Sequence, residues 1–169
     1  IEANELISQL EHPINSIQLQ ANLLEQRLIR QFTNNLSSSY TLIINRVLCR
    51  GLLRKPIQFL NNRNSRFNTS KRVTESLSKE RLDFLYFVDS QASKMNTSIE
   101  RIAYSWILSF GGKINPIIGA RTFNQLSNSI NILSKINQED ISLSEFFGDL
   151  AKEKFNLNSK NLPFEALEL

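Results

Sequence analysis

The sequence predicts an α/β fold in which a parallel sheet forms part of a larger sheet or barrel. Three short apolar runs, at residues 14–20, 40–47 and 113–120, have the length and composition of buried strands. Each is followed by a segment with apolar residues at helical spacing. Strands that alternate with helices form parallel βα units, and three parallel strands leave two open edges. We therefore expect these units to belong to a more extensive sheet.

The first strand lies between two helical patterns. Apolar residues at positions 3, 6, 7 and 10 predict a short helix that ends at His12, because a residue before proline is pushed out of the helical region. After the strand, an apolar residue at every fourth position from Leu24 to Leu36 predicts a second helix. This helix leads to the second strand.

An irregular segment and two helices separate the second strand from the third. Residues 54–71 show no period and are rich in Asn, Ser and Arg, which predicts a long loop. Apolar residues at helical spacing then predict a helix that ends within residues 89–93. They are Leu77, Phe84, Leu85 and Val88. Thr97 and Glu100 have the spacing of a capping box, which predicts the start of the next helix.

The helix that follows Thr97 has a long apolar face and a glycine stop. The face consists of Ile99, Ile102, Ala103, Trp106, Ile107 and Phe110. Gly111 and Gly112 then supply a left-handed end to the helix. The third strand is expected to end at Ile118.

Two further helices are predicted after the third strand. Thr122 and Gln125 form a second candidate capping box. The apolar face of the helix that they open is Phe123, Leu126, Ile130 and Leu133. Residues 141–155 predict a closing amphipathic helix, and residues 156–169 a surface tail.

Composition limits the possible functions. The net charge of +4 and the pI near 9.4 favour a phosphate-bearing partner, although a soluble domain without such a partner can show the same balance. No apolar run is long enough to span a membrane and no leader is visible, so we expect a cytoplasmic protein. Cys49 and His12 are the only cysteine and histidine, which excludes an internal disulfide and a Cys/His metal cluster. Because Ile1 opens a helical pattern without a methionine, we expect a piece of a longer protein.

Residues 115–130 have the features of a phosphate-binding turn. Gly119 is expected to allow a tight turn, after which a new helix presents its first N–H groups beyond the strand end. Arg121 adds a planar cation suited to phosphate, and Gln125 adds a neutral donor and acceptor. A short glycine turn of this kind can also serve packing alone.

Three segments, in order, resemble the aldo-keto reductase family. Residues 101–133 resemble the end of the family's barrel, where an A-x-x-W-x-L helix precedes an I-x-G-x-R/S strand and a helix with Gln and then Glu-Asn. Residues 13–27 resemble its glutamine strand before Asn-Leu-Leu, and residues 41–55 its strand before a Leu-x-x-Gly-x-Leu turn. The resemblance assigns 1–145 to the C-terminal part of the barrel and 146–169 to a closing helix and tail.

The resemblance implies a partial parallel (β/α) TIM barrel, of which this chain supplies the last three strands with flanking helices. It also implies reduction of a small-molecule carbonyl substrate by NADPH, without a metal. The family's catalytic Asp, Tyr, Lys and His lie in the first half of the barrel, and no residue here matches them. We expect no catalytic residue in this chain, and completion of the sheet by a missing N-terminal half or by self-association through its open edges.

The resemblance also assigns cofactor-binding residues by position. They are Gln18, Leu48, Gly51, Gly119, Arg121, Gln125 and Asn128. Gln18 matches the glutamine that bonds the nicotinamide amide, the alternative being a strand glutamine that faces solvent. Leu48 and Gly51 match the pyrophosphate turn. The remaining four match positions around the adenosine 2′-phosphate and adenine of NADP(H).

Several positions depart from the family's pattern. Asn45 stands where an aromatic ring stacks on the nicotinamide, and Ala21 replaces a common tyrosine. Asn128 and Ser129 replace the Glu-Asn pair at the adenine. Arg46 could contact a phosphate, but beside the nicotinamide its charge disfavours the oxidised ring. These departures favour a second hypothesis, a non-catalytic aldo-keto reductase-like binding or regulatory protein.

Two further features have competing interpretations. Cys49 is expected to be a small buried side chain rather than a nucleophile, because no base lies near it in sequence. The segment with Arg63, Arg66, Lys71 and Arg72 contains Phe67 as its only aromatic residue, so we expect a solvated loop that does not bind nucleic acid. In the reductase interpretation this loop folds over the pyrophosphate. A third hypothesis is an interaction module that docks through the loop and the sheet edges.

Overall fold

The computed structural model describes residues 14–35, 40–54 and 78–157. Their elements are β1 (Ser16–Gln20), α1 (Arg27–Asn35), β2 (Thr41–Asn45), a 3₁₀ turn (Cys49–Gly51), α2 (Lys79–Lys94), α3 (Ile99–Leu108), β3 (Ile114–Pro116), α4 (Phe123–Leu133) and α5 (Gln138–Glu153). The helix predicted before His12, the basic segment within residues 55–72 and most of the predicted tail lie outside the described residues.

The three strands form one parallel sheet in the order β1-β2-β3. Leu19 lies opposite Ile44, and Ile44 lies opposite Pro116. The predicted α/β arrangement of parallel strands and intervening helices is therefore confirmed.

The two faces of this sheet have different surroundings. Leu19, Leu42 and Ile44 point to one face and are buried in the apolar core with the helices. Gln18 and Asn115 point to the other face and are exposed. The sheet therefore resembles a segment of barrel wall with helices packed on its outer surface. We call the second face the open face.

Helix α3 lies in the centre of the core. Its predicted apolar residues are buried, except that Phe110 is half-buried and packs edge-on against Trp106, with ring centroids 5.0 Å apart. Gly148 of α5 lies directly against the Trp106 indole. The predicted glycine stop is present, since Gly111 has a φ of +105° just after the end of α3.

Two helix boundaries differ from the sequence prediction. Helix α2 extends one residue past the predicted end, to Lys94, with Ala92 on its buried side. Leu24 is not helical: the Asn22 side chain accepts hydrogen bonds from the amides of Leu24 and Glu25 and holds them in a turn. These local hydrogen bonds delay the start of α1.

The capping residues are partly those predicted. The Thr97 prediction is wrong, because the N-cap of α3 is Ser98, whose Oγ accepts from Arg101 N at 3.1 Å. A capping box between Asn137 and Asp140, which the sequence argument missed, starts α5 before residue 141. None of the described helices is long and apolar enough to span a membrane.

The last βα unit contains two corrections. Strand β3 ends at Pro116, two residues before the predicted Ile118. Of the predicted apolar face of α4, Leu133 packs against the described core, whereas Phe123 is 81% exposed and Ile130 51% exposed. Besides Leu133, α4 packs through Ser129 and Ile132. Phe123, Leu126 and Ile130 form a surface that we call the α4 patch.

Candidate functional site

The candidate site lies at the edge where the parallel strands end. The segments that follow β1, β2 and β3 all leave the sheet at this edge, as in other parallel α/β proteins that bind ligands there. The predicted site residues fall into three places: Gln18 within β1, Leu48 and Gly51 after β2, and the stretch from Gly119 to Asn128 after β3.

The turn after β2 has an unusual backbone. Arg46, Cys49 and Arg50 have φ values of 55°, 44° and 56°, in the left-handed region that non-glycine residues rarely adopt. Gly51 has a φ of 99°, and its amide donates to Leu48 O at 2.8 Å. Cys49 is buried, as predicted. Each left-handed non-glycine residue costs on the order of 1 kcal/mol, and such strain concentrates at functional sites.

Gly119 does not have the conformation that the sequence argument assumed. Its φ lies outside the left-handed region, and a Cβ added to it would meet no atom within 4 Å. The expectation that a tight turn requires this glycine is therefore wrong. The space beside it is open to an approaching ligand.

The start of α4 combines a satisfied cap with an exposed cation. Thr122 Oγ1 accepts from Gln125 N at 3.2 Å, which confirms the predicted N-cap. Gln125 Oε1 accepts from Arg121 N at 2.9 Å, rather than from the amide of Thr122. These side chains thus satisfy two of the amides at this helix start, and Arg121 brings positive charge to the exposed surface.

Asn128 belongs to a polar group that we call the Glu100 cluster, which consists of Arg54, Glu100, Asn128 and Ser129. Glu100 and Ser129 are buried, Arg54 is partly buried and Asn128 is exposed. Glu100 Oε1 accepts from Arg54 Nε at 3.1 Å, from Arg54 Nη2 at 2.9 Å and from Ser129 Oγ at 2.9 Å. Glu100 Oε2 accepts from Asn128 Nδ2 at 3.2 Å. The Glu100 side chain is only 5% exposed.

The Glu100 cluster joins three elements of the site. Arg54 follows the strained turn, Glu100 lies in the first turn of α3, and Ser129 lies on α4. Burial raises the pKa of the neighbouring Tyr104 phenol, so this group stays protonated at neutral pH. The cluster fixes the β2 turn relative to α4, and it directs Asn128 toward Glu100 rather than toward Gly119 and Arg121.

Gln18 and Arg46 lie on the side of the open face. Gln18 is exposed, while the neighbouring Gln20 accepts from Arg46 Nη1 at 2.9 Å through its Oε1. Asn22 Nδ2 donates to Arg46 O at 3.3 Å and holds the backbone of that residue. Asn45 Oδ1, at the end of β2, is buried without a hydrogen-bond partner.

A second buried ion pair lies beyond the end of β1. Arg81 is fully buried, and it donates to Glu25 Oε2 at 2.9 Å and to Leu24 O at 3.0 Å. Arg27 also donates to Glu25, at 2.7 Å. The Glu25 carboxylate accepts from both arginine side chains, so its charge is compensated without a ligand. The Arg81–Glu25 pair holds α2 against the turn before α1.

Sequence reasoning missed the Glu100 cluster for a physical reason. Glu100 stands in the printed sequence on the apolar side of a helix, next to Ile99, which was a signal for a buried carboxylate. Its partner Arg54 is 46 residues away, and no local pattern connects them. Among the described residues, no three Asp, Glu, His or Cys side chains are grouped so that they could hold a metal ion.

The chain is similar in sequence to a known protein family and in structure to solved proteins. A sequence model of the aldo/keto reductase family matches residues 2–145. A glycerol dehydrogenase from Gluconobacter oxydans has a similar structure, with a TM-score of 0.61 and 22% identity over 92% of this chain and 47% of that one. An aldo-keto reductase from Bacillus halodurans in its apo form gives a TM-score of 0.51 and 17% identity, over 85% and 46%. Its holo form gives a TM-score of 0.50 and 17% identity, over 85% and 45%.

These similarities confirm the predicted fold, part of a TIM barrel of aldo-keto reductase type. The chain spans about half the length of the solved structures that it matches. No curated protein sequence matches it significantly.

Proposed function

Because this chain belongs to the aldo-keto reductase family, as its three sequence segments predict, we propose that it is the cofactor-binding part of an NADP(H)-dependent oxidoreductase that reduces a small carbonyl compound. The observation that supports this most directly is that the predicted cofactor residues after β2 and β3 lie at the same edge of the sheet. The strained turn with Leu48 and Gly51, the open space at Gly119 and the exposed Arg121 all follow strand ends of one parallel sheet.

The phosphate end of the cofactor fits the residues of this edge. Arg121 supplies a cation for the 2′-phosphate, and Gln125 holds the backbone of Arg121 in place. Gly119 leaves room for close approach. Gly51 and Leu48 form the turn proposed to lie beneath the pyrophosphate.

The nicotinamide end depends on Gln18, whose exposed amide on the open face can donate to and accept from a carboxamide. When bound, NADPH supplies the hydride. The role proposed for this chain is to bind and orient that cofactor, and the proton donor for the carbonyl is proposed to lie outside it. A cytoplasmic location is part of the same proposal.

Calorimetric titration of the chain with NADPH and NADH tests the proposal. We expect Arg121→Ala to weaken NADPH binding about tenfold to a hundredfold and NADH binding much less, because only NADPH carries the 2′-phosphate. Lys135→Ala, an exposed basic residue between α4 and α5, is the matched control and should leave both affinities unchanged. An equal loss for both cofactors in Arg121→Ala would contradict the assignment.

One observation favours a second function, that of a non-catalytic binding or regulatory protein on the same scaffold. The residues at the adenine positions, Asn128 and Ser129, both donate to Glu100. Adenine would have to compete with that carboxylate for them. Absence of NADPH binding in the titration would favour this second function, and carbonyl turnover by a protein that includes the catalytic half would exclude it.

We also propose that the α4 patch and the free edge of β3 are covered by the other part of the barrel or by a second copy of the chain. Within the described residues, β3 pairs only with β2, and Phe123 and Ile130 are exposed on α4, the helix that follows β3. Light scattering after gel filtration should show association of the isolated chain, reduced in Phe123→Glu/Ile130→Glu. A compact monomer of the unmodified chain would contradict this.

A further inference from the structure

We propose that Glu100 is a positioning residue that makes the proposed nucleotide site selective for a purine with an amino group at position 6. It acts through Asn128, because it orients the amide of that side chain. This inference rests on the proposed function, since it concerns the base of the same cofactor.

The contact between Asn128 and Glu100 determines which end of the Asn128 amide is used. Asn128 Nδ2 donates to Glu100 Oε2 at 3.2 Å. A carboxylate oxygen accepts, and only the nitrogen of an amide donates, so the amide has a single orientation in this contact. Asn128 is exposed, and no group among the described residues donates to its Oδ1. The surface is therefore left with an acceptor.

The carboxylate that orients Asn128 is itself held in place. Glu100 Oε1 accepts from Arg54 Nε at 3.1 Å, from Arg54 Nη2 at 2.9 Å and from Ser129 Oγ at 2.9 Å. The Glu100 side chain is 5% exposed, so water has little access to it. With one oxygen fixed by three donors, the other oxygen stays directed toward Asn128.

Gln125 is oriented in the complementary way. Its Oε1 accepts from Arg121 N at 2.9 Å, which leaves its Nε2 as a donor. Gln125 and Asn128 are three residues apart on α4, and residues at this spacing are neighbours on a helix surface. This part of α4 thus presents one amide donor and one amide acceptor.

These two groups match the edge of adenine. The 6-amino group of adenine is a donor, its ring nitrogen N7 is an acceptor, and amide side chains recognise this pair in nucleic acids. In hypoxanthine an oxygen replaces the amino group, so Asn128 Oδ1 would face another acceptor. The Asn128 amide could turn to donate only if it lost its hydrogen bond to Glu100. Glu100 therefore determines the base preference without contacting the base.

Calorimetric titration with NADPH and with its hypoxanthine analogue tests this inference, because the two nucleotides differ only in the base. We expect the wild type to bind NADPH about fivefold more tightly or more, the effect of one neutral hydrogen bond. In Asn128→Ala the two affinities should agree within about twofold. Asn131→Ala, which removes another exposed asparagine of α4, is the matched control and should keep the wild-type ratio.

Substitutions of Glu100 separate positioning from a structural role. In Glu100→Gln the new amide can either accept from Asn128 or donate to it, so the ratio of the two affinities should fall to within about twofold. Glu100→Asp keeps a carboxylate for Arg54 but withdraws it from Asn128, so it should lower the ratio even if Glu100→Gln does not fold. A purely structural role would weaken both nucleotides equally and leave the ratio unchanged. Gly148→Ala, which disturbs the packing against Trp106 instead, should keep the ratio.

The outcomes separate the inference from the proposed function. Binding of NADPH tests the proposed function, and the ratio of the two affinities tests the inference. Equal affinity of the wild type for the two nucleotides would overturn the inference and leave the proposed function standing. A wild-type ratio in Asn128→Ala, or in the folded Glu100 variants, would overturn it in the same way. If the wild type binds neither nucleotide, both are rejected.

Discussion

Replacement of Glu100 by glutamine is the sharpest test of how the site is held together. The substitution keeps the size of the side chain and removes its charge. It leaves Arg54, whose side chain is 15% exposed, without its carboxylate, and it places an amide N–H₂ group among side chains that donate to Glu100. We therefore expect a large loss of stability from a nearly isosteric change.

The magnitude follows from the burial of the pair. Breaking a buried ion pair by removing one partner typically costs about 3–5 kcal/mol. Because Arg54 is 15% exposed and retains some access to water, we expect the lower end, about 3 kcal/mol. This is a large part of the roughly 5–15 kcal/mol that stabilises a typical domain.

Urea unfolding followed by circular dichroism measures this loss. With an m-value of about 2 kcal/mol/M, a loss of about 3 kcal/mol moves the unfolding midpoint down by about 1.5 M. Glu145→Gln on α5 is the matched control, since Glu145 is exposed, and its midpoint should move by less than about 0.3 M. A midpoint for Glu100→Gln within the range of that control would refute the view that the cluster is a buried ion pair.

Two other substitutions test the packing and the charge network. Gly148→Ala should destabilise the chain by up to about 2 kcal/mol, because the new methyl group would lie 2.7 Å from Trp106 Cδ1, and overpacking of about 1–3 kcal/mol outweighs a helix-propensity gain of about 1 kcal/mol. Gly112→Ala, where a Cβ meets nothing, should be nearly neutral in the same thermal melt, and equal effects would contradict the packing. Hydrogen bonds from Arg101 lower the pKa of Asp140 in the folded state. The pair therefore stabilises the fold at pH values above the unfolded aspartate pKa of about 3.9, and this stabilisation is lost as the pH falls through the lower pKa of the folded state. Asp140→Asn should therefore cost about 1 kcal/mol at pH 7 and much less near pH 2, and a pH-independent difference in urea midpoints would contradict this.

The fold could be predicted from sequence where one local pattern decided the structure. The strand at Ser16–Gln20 and the Thr122 cap follow from residue types within a few positions of each other. The α4 patch could not be predicted in the same way. A helical apolar face indicates that a helix exists, but what covers that face depends on elements far away in the chain.

The sequence could predict the positions of the candidate cofactor-binding residues but not the contacts that their side chains make. The resemblance located Gly119, Arg121 and Asn128 on one segment, and the structure places the first two at an exposed turn. Asn128 lies on the same helix but donates to Glu100, because a carboxylate from α3 is within 3.2 Å of it. Long-range polar contacts of this kind have no sequence period and had to be observed.

Two separate hydrogen-bond networks hold the residue after β2, Arg46, and the strained turn of the proposed site. Whether these two networks act independently can be tested. Gln20 and Asn22 hold Arg46, whereas the Glu100 cluster holds the strained turn against α4, and these described hydrogen bonds have no residue in common. Effects of substitutions without shared partners add within about 0.5 kcal/mol.

We therefore expect the urea midpoint of Arg46→Gln/Glu100→Gln to lie below that of the wild type by the sum of the two single shifts, within about 0.25 M. A shift that departs from this sum by more than about 0.25 M would show that the two networks are coupled through the turn between residues 46 and 54.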